Sequence, residues 1–329
     1  MEPNPALEKF LHSIPLFELV KKEDLVELLR LVRPIELAAG EVIFQEGDIG
    51  GAMWVLGPGT EVALTVGPDA RPLATLANGD TLGEMSLIDD AVRSATATVK
   101  KPGGAYRIEA PDFDVLRDQQ RPAAYNVLRK MARDMSLRLR MVSVQIVPEG
   151  VGQPEPATRV NEGARLHAST LDDFWPLRDT PATSRLALAQ KLTERVLQPG
   201  EMVCREGEPS DAIFMLVAGE VETRRHGTPF LVLGPGSLFG LVSTLDGGNR
   251  SASVVARTEA RIWRLGGADF EMLFQAGNRF AYRLVELVSR QLAGNLRQAN
   301  ATLVARTAAP GEQGLTASSL GELDFKLTL

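Results

Sequence analysis

Apolar residues gather in short runs along two stretches of the chain, and at helical spacing in the segments that flank them. Residues 41–44, 52–56, 62–65 and 95–99 are brief, β-branched or aromatic in character, and bounded by Gly, Pro or Asp, which predicts strands. Residues 202–203, 213–217, 230–233 and 253–255 repeat the pattern. Two other segments step their apolar positions by three or four residues. One starts at Pro122 and carries Val127, Leu128, Met131, Met135 and Leu139. The other carries Phe280, Leu284, Leu287, Val288, Leu292 and Leu296. A shorter helix is predicted over 24–32, opening on Asp24 and spacing Leu25, Leu28, Leu29 and Val32. Short strands at intervals of roughly 8–12 residues predict a compact barrel or jelly roll.

The pattern recurs because the chain is duplicated. Leu37, Gly40, Glu41, Glu46 and Gly47 return 160 residues later as Leu197, Gly200, Glu201, Glu206 and Gly207. Gly83, the run Arg93-Ser94-Ala95 and the pair Asp112-Phe113 return 157 residues later as Gly240, Arg250-Ser251-Ala252 and Asp269-Phe270. The first copy therefore holds three extra residues, expected in the turn region between Gly57 and Arg71. Such a period far exceeds the ~20–50 residues of a solenoid, so a whole domain is repeated. The expected division is 1–147 for the first domain, 148–165 for a linker that opens on a Pro- and Gly-rich run, 166–306 for the second domain, and 307–329 for a flexible tail.

Composition narrows the function classes. The 329 residues, 44% hydrophobic and 24% charged, suffice for two apolar cores. No apolar run reaches the ~18 residues of a membrane span, and the N-terminus lacks the pattern of a secretory signal, so no membrane association is expected. The single cysteine, Cys204, excludes an intrachain disulfide and suits a reducing cytoplasm. It falls at the position of Phe44, which favours a buried, inert thiol over a redox sensor. A net charge of −6 disfavours extended nucleic-acid binding. Three scattered histidines and one cysteine cannot build a Cys/His zinc cluster, and P-loop, nucleophile-elbow and metalloprotease motifs are absent. The chain is expected to be no enzyme and to need no metal or cofactor.

The candidate chemistry lies in Leu82-Gly83-Glu84-Met85-Ser86-Leu87, followed six residues on by Arg93-Ser94-Ala95. Gly83 permits a sharp turn, and a short helical turn starting at Glu84 would present N–H groups to an anion. Arg93 can neutralise a phosphate with charge-assisted bonds. Glu84 would repel a bare phosphate; beside a phosphate site the acid makes sense when the ligand also brings a hydroxyl donor, as ribose does. Without a ligand, Glu84 reads as a helix N-terminal acid that suits the dipole and Arg93 as a surface strand residue. A cyclic nucleotide combines one phosphate charge and one free 2′-hydroxyl.

These residues resemble the phosphate-binding cassette of the cyclic-nucleotide-binding domain family, which includes the catabolite activator protein and the protein kinase A regulatory subunits. The likeness extends over residues 7–147 and again over about 177–306, with Leu82 and Val92 replacing the family's Phe and Pro. It implies a mainly β fold of the α+β class, two tandem double-stranded β-helix (jelly-roll) barrels with flanking helices. It also implies that Glu84 holds the ribose 2′-hydroxyl, that Arg93 holds the exocyclic phosphate oxygens, and that backbone N–H groups near Met85, Ser86 and Ala95 complete the cradle. Ser94 and Ser251 either read a guanine edge or satisfy the backbone, which leaves cyclic AMP and cyclic GMP both open.

The second copy departs where it matters. Gly240, Ser243, Arg250, Ser251 and Ala252 keep the frame, but Leu241 stands at the position of Glu84. Losing a hydrogen bond to a charged group costs about 1.5–3 kcal/mol, or roughly 10- to 150-fold in affinity, so this site is expected to be weak or empty. The helix over Tyr125–Leu139 and Trp175 are candidate covers for the nucleotide base, although Trp175 reads more readily as a core residue. Arg129, Lys130, Arg133, Arg138 and Arg140 read as a solvated helix face rather than a docking site. About 23 residues follow Arg306, too few for a winged helix-turn-helix, so DNA is not an expected partner. The expected partners are a cyclic nucleotide and an unidentified protein effector. The apolar stripe of the last helix offers a surface for a second copy, or packs within its own chain. The alternative to a sensor is an interaction module whose pockets no longer bind nucleotide.

Overall fold

Strands β1 (Arg33–Leu37), β2 (Val42–Phe44), β3 (Ala52–Leu56), β4 (Glu61–Val66), β5 (Arg71–Leu76), β6 (Thr81–Leu82), β7 (Thr96–Lys101) and β8 (Gly103–Glu109) build the first copy. They pair antiparallel in two sheets, β1-β8-β3-β6 and β2-β7-β4-β5. The computed structural model describes residues 5–89, 91–146, 163–166, 171, 173–178, 181–240, 244 and 247–307. Trp54, Leu56 and Leu82 of one sheet share a core with Val62, Leu64 and Ala97 of the other, because alternate side chains of each strand point to the same face.

The second copy repeats this plan. Its strands are β9 (Ala164–Arg165), β10 (Leu192–Leu197), β11 (Met202–Cys204), β12 (Ala212–Ala218), β13 (Val221–Arg225), β14 (Thr228–Leu233), β15 (Leu238–Phe239), β16 (Ser253–Ala256) and β17 (Ala260–Gly266). The sheets run β15-β12-β17-β10-β9 and β11-β16-β13-β14, the order of the first copy with one added edge strand. In each copy the two sheets are hydrogen-bonded separately. The fold is thus, as expected, mainly β: a jelly-roll-like arrangement of two sheets with flanking helices in each copy.

The strand registers locate the three extra residues of the first copy. Val62 pairs with Val99 as Val221 pairs with Ala256, which puts one extra residue in the β3–β4 turn. The β4–β5 hairpin closes from Val66 to Arg71 and the β13–β14 hairpin from Arg225 to Thr228, which accounts for the other two.

Helices α1 (Pro5–His12), α2 (Lys22–Leu29), α3 (Ala110–Asp118) and α4 (Pro122–Ile146) accompany the first set of strands, and α5 (Ala182–Ala189), α6 (Gly267–Gln275) and α7 (Arg279–Thr307) the second. By contact, Ala132–Val304 forms one compact unit and the described residues on either side of it form the other. Helix α2 starts before Asp24, at Lys22, and has no side-chain cap; Asp24 lies in its first turn, where an acid suits the helix dipole. The basic residues of α4 are not a solvated face. Lys130 is buried and lies 3.8 Å from Glu18, and Arg129, Arg133, Arg138 and Arg140 are half-buried. Their long stems can lie along apolar surface while the charged heads find partners. Among the described residues no helix is long and apolar enough to cross a membrane. The expected linker run 148–156 and the tail from 308 lie outside the described residues.

Candidate functional site

The repeated glutamates and glycines of the sequence have a structural task in both copies. Gly47 N–H donates to Arg93 O (2.9 Å) and Arg93 N–H to Asp48 O (2.8 Å), so the Glu-Gly turn grips the backbone of Arg93. Gly207 and Glu208 hold Arg250 with the same two bonds at 2.9 and 2.8 Å. The carboxylate of Glu46 accepts from Gly67 N–H (2.7 Å) and that of Glu206 from His226 N–H (2.8 Å), tying the same turn to the neighbouring hairpin.

That grip delivers the arginine into the sandwich. Arg93 is 8% exposed, and its guanidinium carbon lies 4.4 Å from the ring centre of Phe44 and 5.4 Å from that of Trp54, a cation–π arrangement. Nη1 donates to Gly83 O (3.1 Å) and to Ser86 Oγ (2.6 Å), while Nη2 donates to Ala52 O (2.7 Å). Nε–H is buried and has no partner among the described residues. A buried donor left in that state costs about 1–3 kcal/mol unless water or a ligand meets it. Burial holds the pKa of Arg93 below its ordinary value, while Glu84 and Asp48 pull it back up.

Gly83 is the pivot. Its φ of 73° is left-handed, and a Cβ there would sit 2.4 Å from Arg93 Nη1 and 2.9 Å from Ala52 O. A 3₁₀ turn, Glu84–Leu87, follows at once. Glu84 is buried beside Arg93, and Ser86 differs from expectation: its N–H closes the turn onto Gly83 O (3.1 Å), and its hydroxyl accepts from Arg93. Met85 is half-buried, Ala95 is buried and Ser94 is exposed. Gly83, Glu84, Ser86 and Arg93 thus converge. Phe44, Trp54 and the carbonyl of Ala52 join them from strands distant in sequence, and no signal in the cassette itself announced these three.

Arg250 copies the arrangement. It donates to Gly240 O (2.9 Å) and Ala212 O (2.9 Å), and Gly240, with φ 75°, has the same need for a bare Cα. Phe214 replaces Trp54 as the ring near its guanidinium, at 5.4 Å. Asp211 lies 3.4 Å from Nη2, where the first copy has Gly51. Ser251 and Ala252 line a cavity together with Arg250, whereas Leu241 and Ser243 lie outside the described residues. Cys204 is buried, and burial pushes its thiol up to about 11. Trp175 is no core residue. It is 60% exposed and its indole lies over Gly236 of its own copy, where only a missing Cβ leaves it room. No cluster of three or more potential metal ligands occurs among the described residues.

Each copy is a two-sheet sandwich that holds a buried arginine against a left-handed glycine. The sequence matches the family described as "Cyclic nucleotide-binding domain" over residues 34–120 and 194–276. The chain belongs to that family. Among its relatives is the cAMP-dependent protein kinase regulatory subunit of Yarrowia lipolytica, 25% identical over 266 residues, covering 78% of this chain and 58% of the relative. A cyclic nucleotide-gated potassium channel of Mesorhizobium japonicum is 38% identical over 95 residues, 29% of this chain and 26% of the channel. The chain spans about half the length of the regulatory subunits that it matches most broadly. Among solved structures, the regulatory domain of Toxoplasma gondii PKA with cAMP aligns over 89% of this chain and 95% of its own, at 18% identity and a TM-score of 0.32.

Proposed function

We propose that the chain is a cytoplasmic, non-enzymatic sensor that binds a cyclic nucleotide, cyclic AMP or cyclic GMP, chiefly in its first copy. The observation that carries this reading is Arg93: a buried guanidinium with an unpartnered Nε–H, set beside the carboxylate of Glu84. A phosphate oxygen supplies the missing acceptor and a ribose hydroxyl donates to the acid. Cation and anion together therefore select a ligand bearing both groups. The relatives named as kinase regulatory subunits and as a nucleotide-gated channel support a regulatory output. On this reading the ligand draws the cassette inward and relocates α4, changing the surface offered to a protein effector. Such a shift requires unequal ligand affinity for the two helix positions. Replacing Arg93 by Ala is expected to lower cyclic nucleotide affinity at least tenfold in calorimetric titration. Affinity unchanged in a folded R93A protein overturns the assignment and leaves the chain an interaction module.

A further inference from the structure

The two copies are each other's control, and their pockets differ at matched positions. On the inward face of the fourth strand of the first copy stand Leu64 and Val66; at the corresponding places of β13 stand Thr223 and Arg225. Phe44, the ring beneath Arg93, is replaced by Cys204. In sequence, Glu84 is replaced by Leu241. The second copy has thus exchanged the ring at Phe44 for a thiol and, in sequence, the acid for Leu241, while Phe239 stands as a ring on the lining at the place of Leu82, and Thr223 and Arg225 add a hydroxyl and a guanidinium.

Arg225 and Arg250 line one cavity, 7% and 4% exposed, and no carboxylate lines it among the described residues. Their countercharges lie outside the lining. Glu206 stands 3.7 Å from Arg225, and Asp211 stands 3.4 Å from Arg250 and also pairs with Arg264. The register pairs Arg224 with Ser253, so Arg225 falls opposite Ala252, directly beside the Arg250-Ser251 step. The far wall is carbon, from Leu231, Leu233 and Leu292, with the amides of Gln291 and Asn295 among it.

We propose that the second pocket takes an organic phosphate monoester in place of a cyclic phosphodiester. A cyclic phosphate carries one negative charge, whereas a monoester carries about −1.5 to −2 at neutral pH and presents three acceptor oxygens. Two guanidinium groups on a lining without an acid match the dianion, since their N–H groups can bind phosphate oxygens with charge-assisted bonds. The apolar wall receives the carbon body. This proposal concerns the second pocket alone and stands whether or not the first binds a cyclic nucleotide.

The test uses the full chain carrying Arg93→Ala, titrated calorimetrically with adenosine 5′-monophosphate, its methyl phosphodiester and cyclic AMP. These probes share base, sugar and phosphorus and differ in charge and ring closure. The monoester is expected to bind at one site at least tenfold more tightly than either monoanion. Arg225→Val, which installs the residue of the first copy, is expected to cost the monoester at least tenfold and the monoanions less than twofold. Arg225→Lys keeps the charge without the fork and is expected to fall between. Equal affinity for the monoester and its methyl ester, no monoester binding at 1 mM, or unchanged monoester affinity in folded R225V overturns the proposal. The methyl-ester comparison needs no change to the pocket, so it decides even if R225V does not fold. If the first pocket binds nothing, the parent chain and the R93A chain give the same monoester isotherm, which separates that failure from this one.

Discussion

Cys204 shows what one exchanged residue does to a duplicated strand. The first copy fills this place with Phe44 under an arginine; the second leaves a thiol whose burial outweighs the pull of nearby Arg250 and raises its pKa to about 11. A folded-state value above the ordinary 9.0 means that the neutral thiol is what the fold holds. This contribution is complete below pH 9 and is lost as the pH climbs toward 11, because the unfolded chain ionises first. Urea unfolding at pH 8 and pH 10.5 is therefore expected to show a smaller alkaline loss of stability for Cys204→Ala than for the parent, by on the order of 2 kcal/mol. Parallel profiles would contradict the burial argument. At this scale the candidate site was partly legible in the sequence. Gly83, Glu84 and Arg93 stand at a fixed local spacing, and their chemistry can be read without coordinates. The Ala52 carbonyl and the Phe44 ring come from other strands, and a backbone acceptor carries no residue-type signal.

Elements were legible where their burial is continuous. Every residue of β3 is buried, and β12 is buried up to its last residue, so both strands stood out as apolar runs. β1 buries only Leu37, and β8 opens on two glycines, so neither has the composition of a strand; pairing with neighbours overrides their weak propensity. The two-residue strands β6 and β15 are too short to show any period. β15 is an edge strand, and α7 supplies what a further strand would have given. Gln291 accepts from Leu238 N–H through Oε1 (2.7 Å) and donates from Nε2 to Leu238 O, a side-chain amide standing in for a ladder rung. Replacing Gln291 by Leu leaves both backbone groups without that partner, at a cost of roughly 1–3 kcal/mol. The Leu238 amide is expected to exchange with deuterium at least tenfold faster in Q291L, with protection in β12 and β17 retained. Unaltered Leu238 exchange would show that the rung carries no weight.

At the scale of the whole molecule, duplication preserved the scaffold and let the ion pairs drift. Both copies keep the Glu-Gly grip on the arginine, the left-handed glycine and the two carbonyls that receive the guanidinium. The carboxylates moved. In the first copy Arg107 pairs with Glu109; in the second the matching Arg264 turns to Asp211, because Gly266 stands where Glu109 was. Asp211 also reaches Arg250, so that arginine has gained an outer acid while the sequence lost an acid at Leu241. The arginine-and-glycine frame is thus present twice, and the acid at the place of Glu84 once. If the difference between the pockets rests on these few side chains, restoring them should restore the binding. The double substitution Arg225→Val with Leu241→Glu removes the added cation and returns the acid. Equilibrium dialysis with cyclic AMP is then expected to rise from about one bound nucleotide per chain to about two. A stoichiometry that stays at one, in a protein that still unfolds cooperatively, would place the difference in the backbone of the second copy rather than in its side chains.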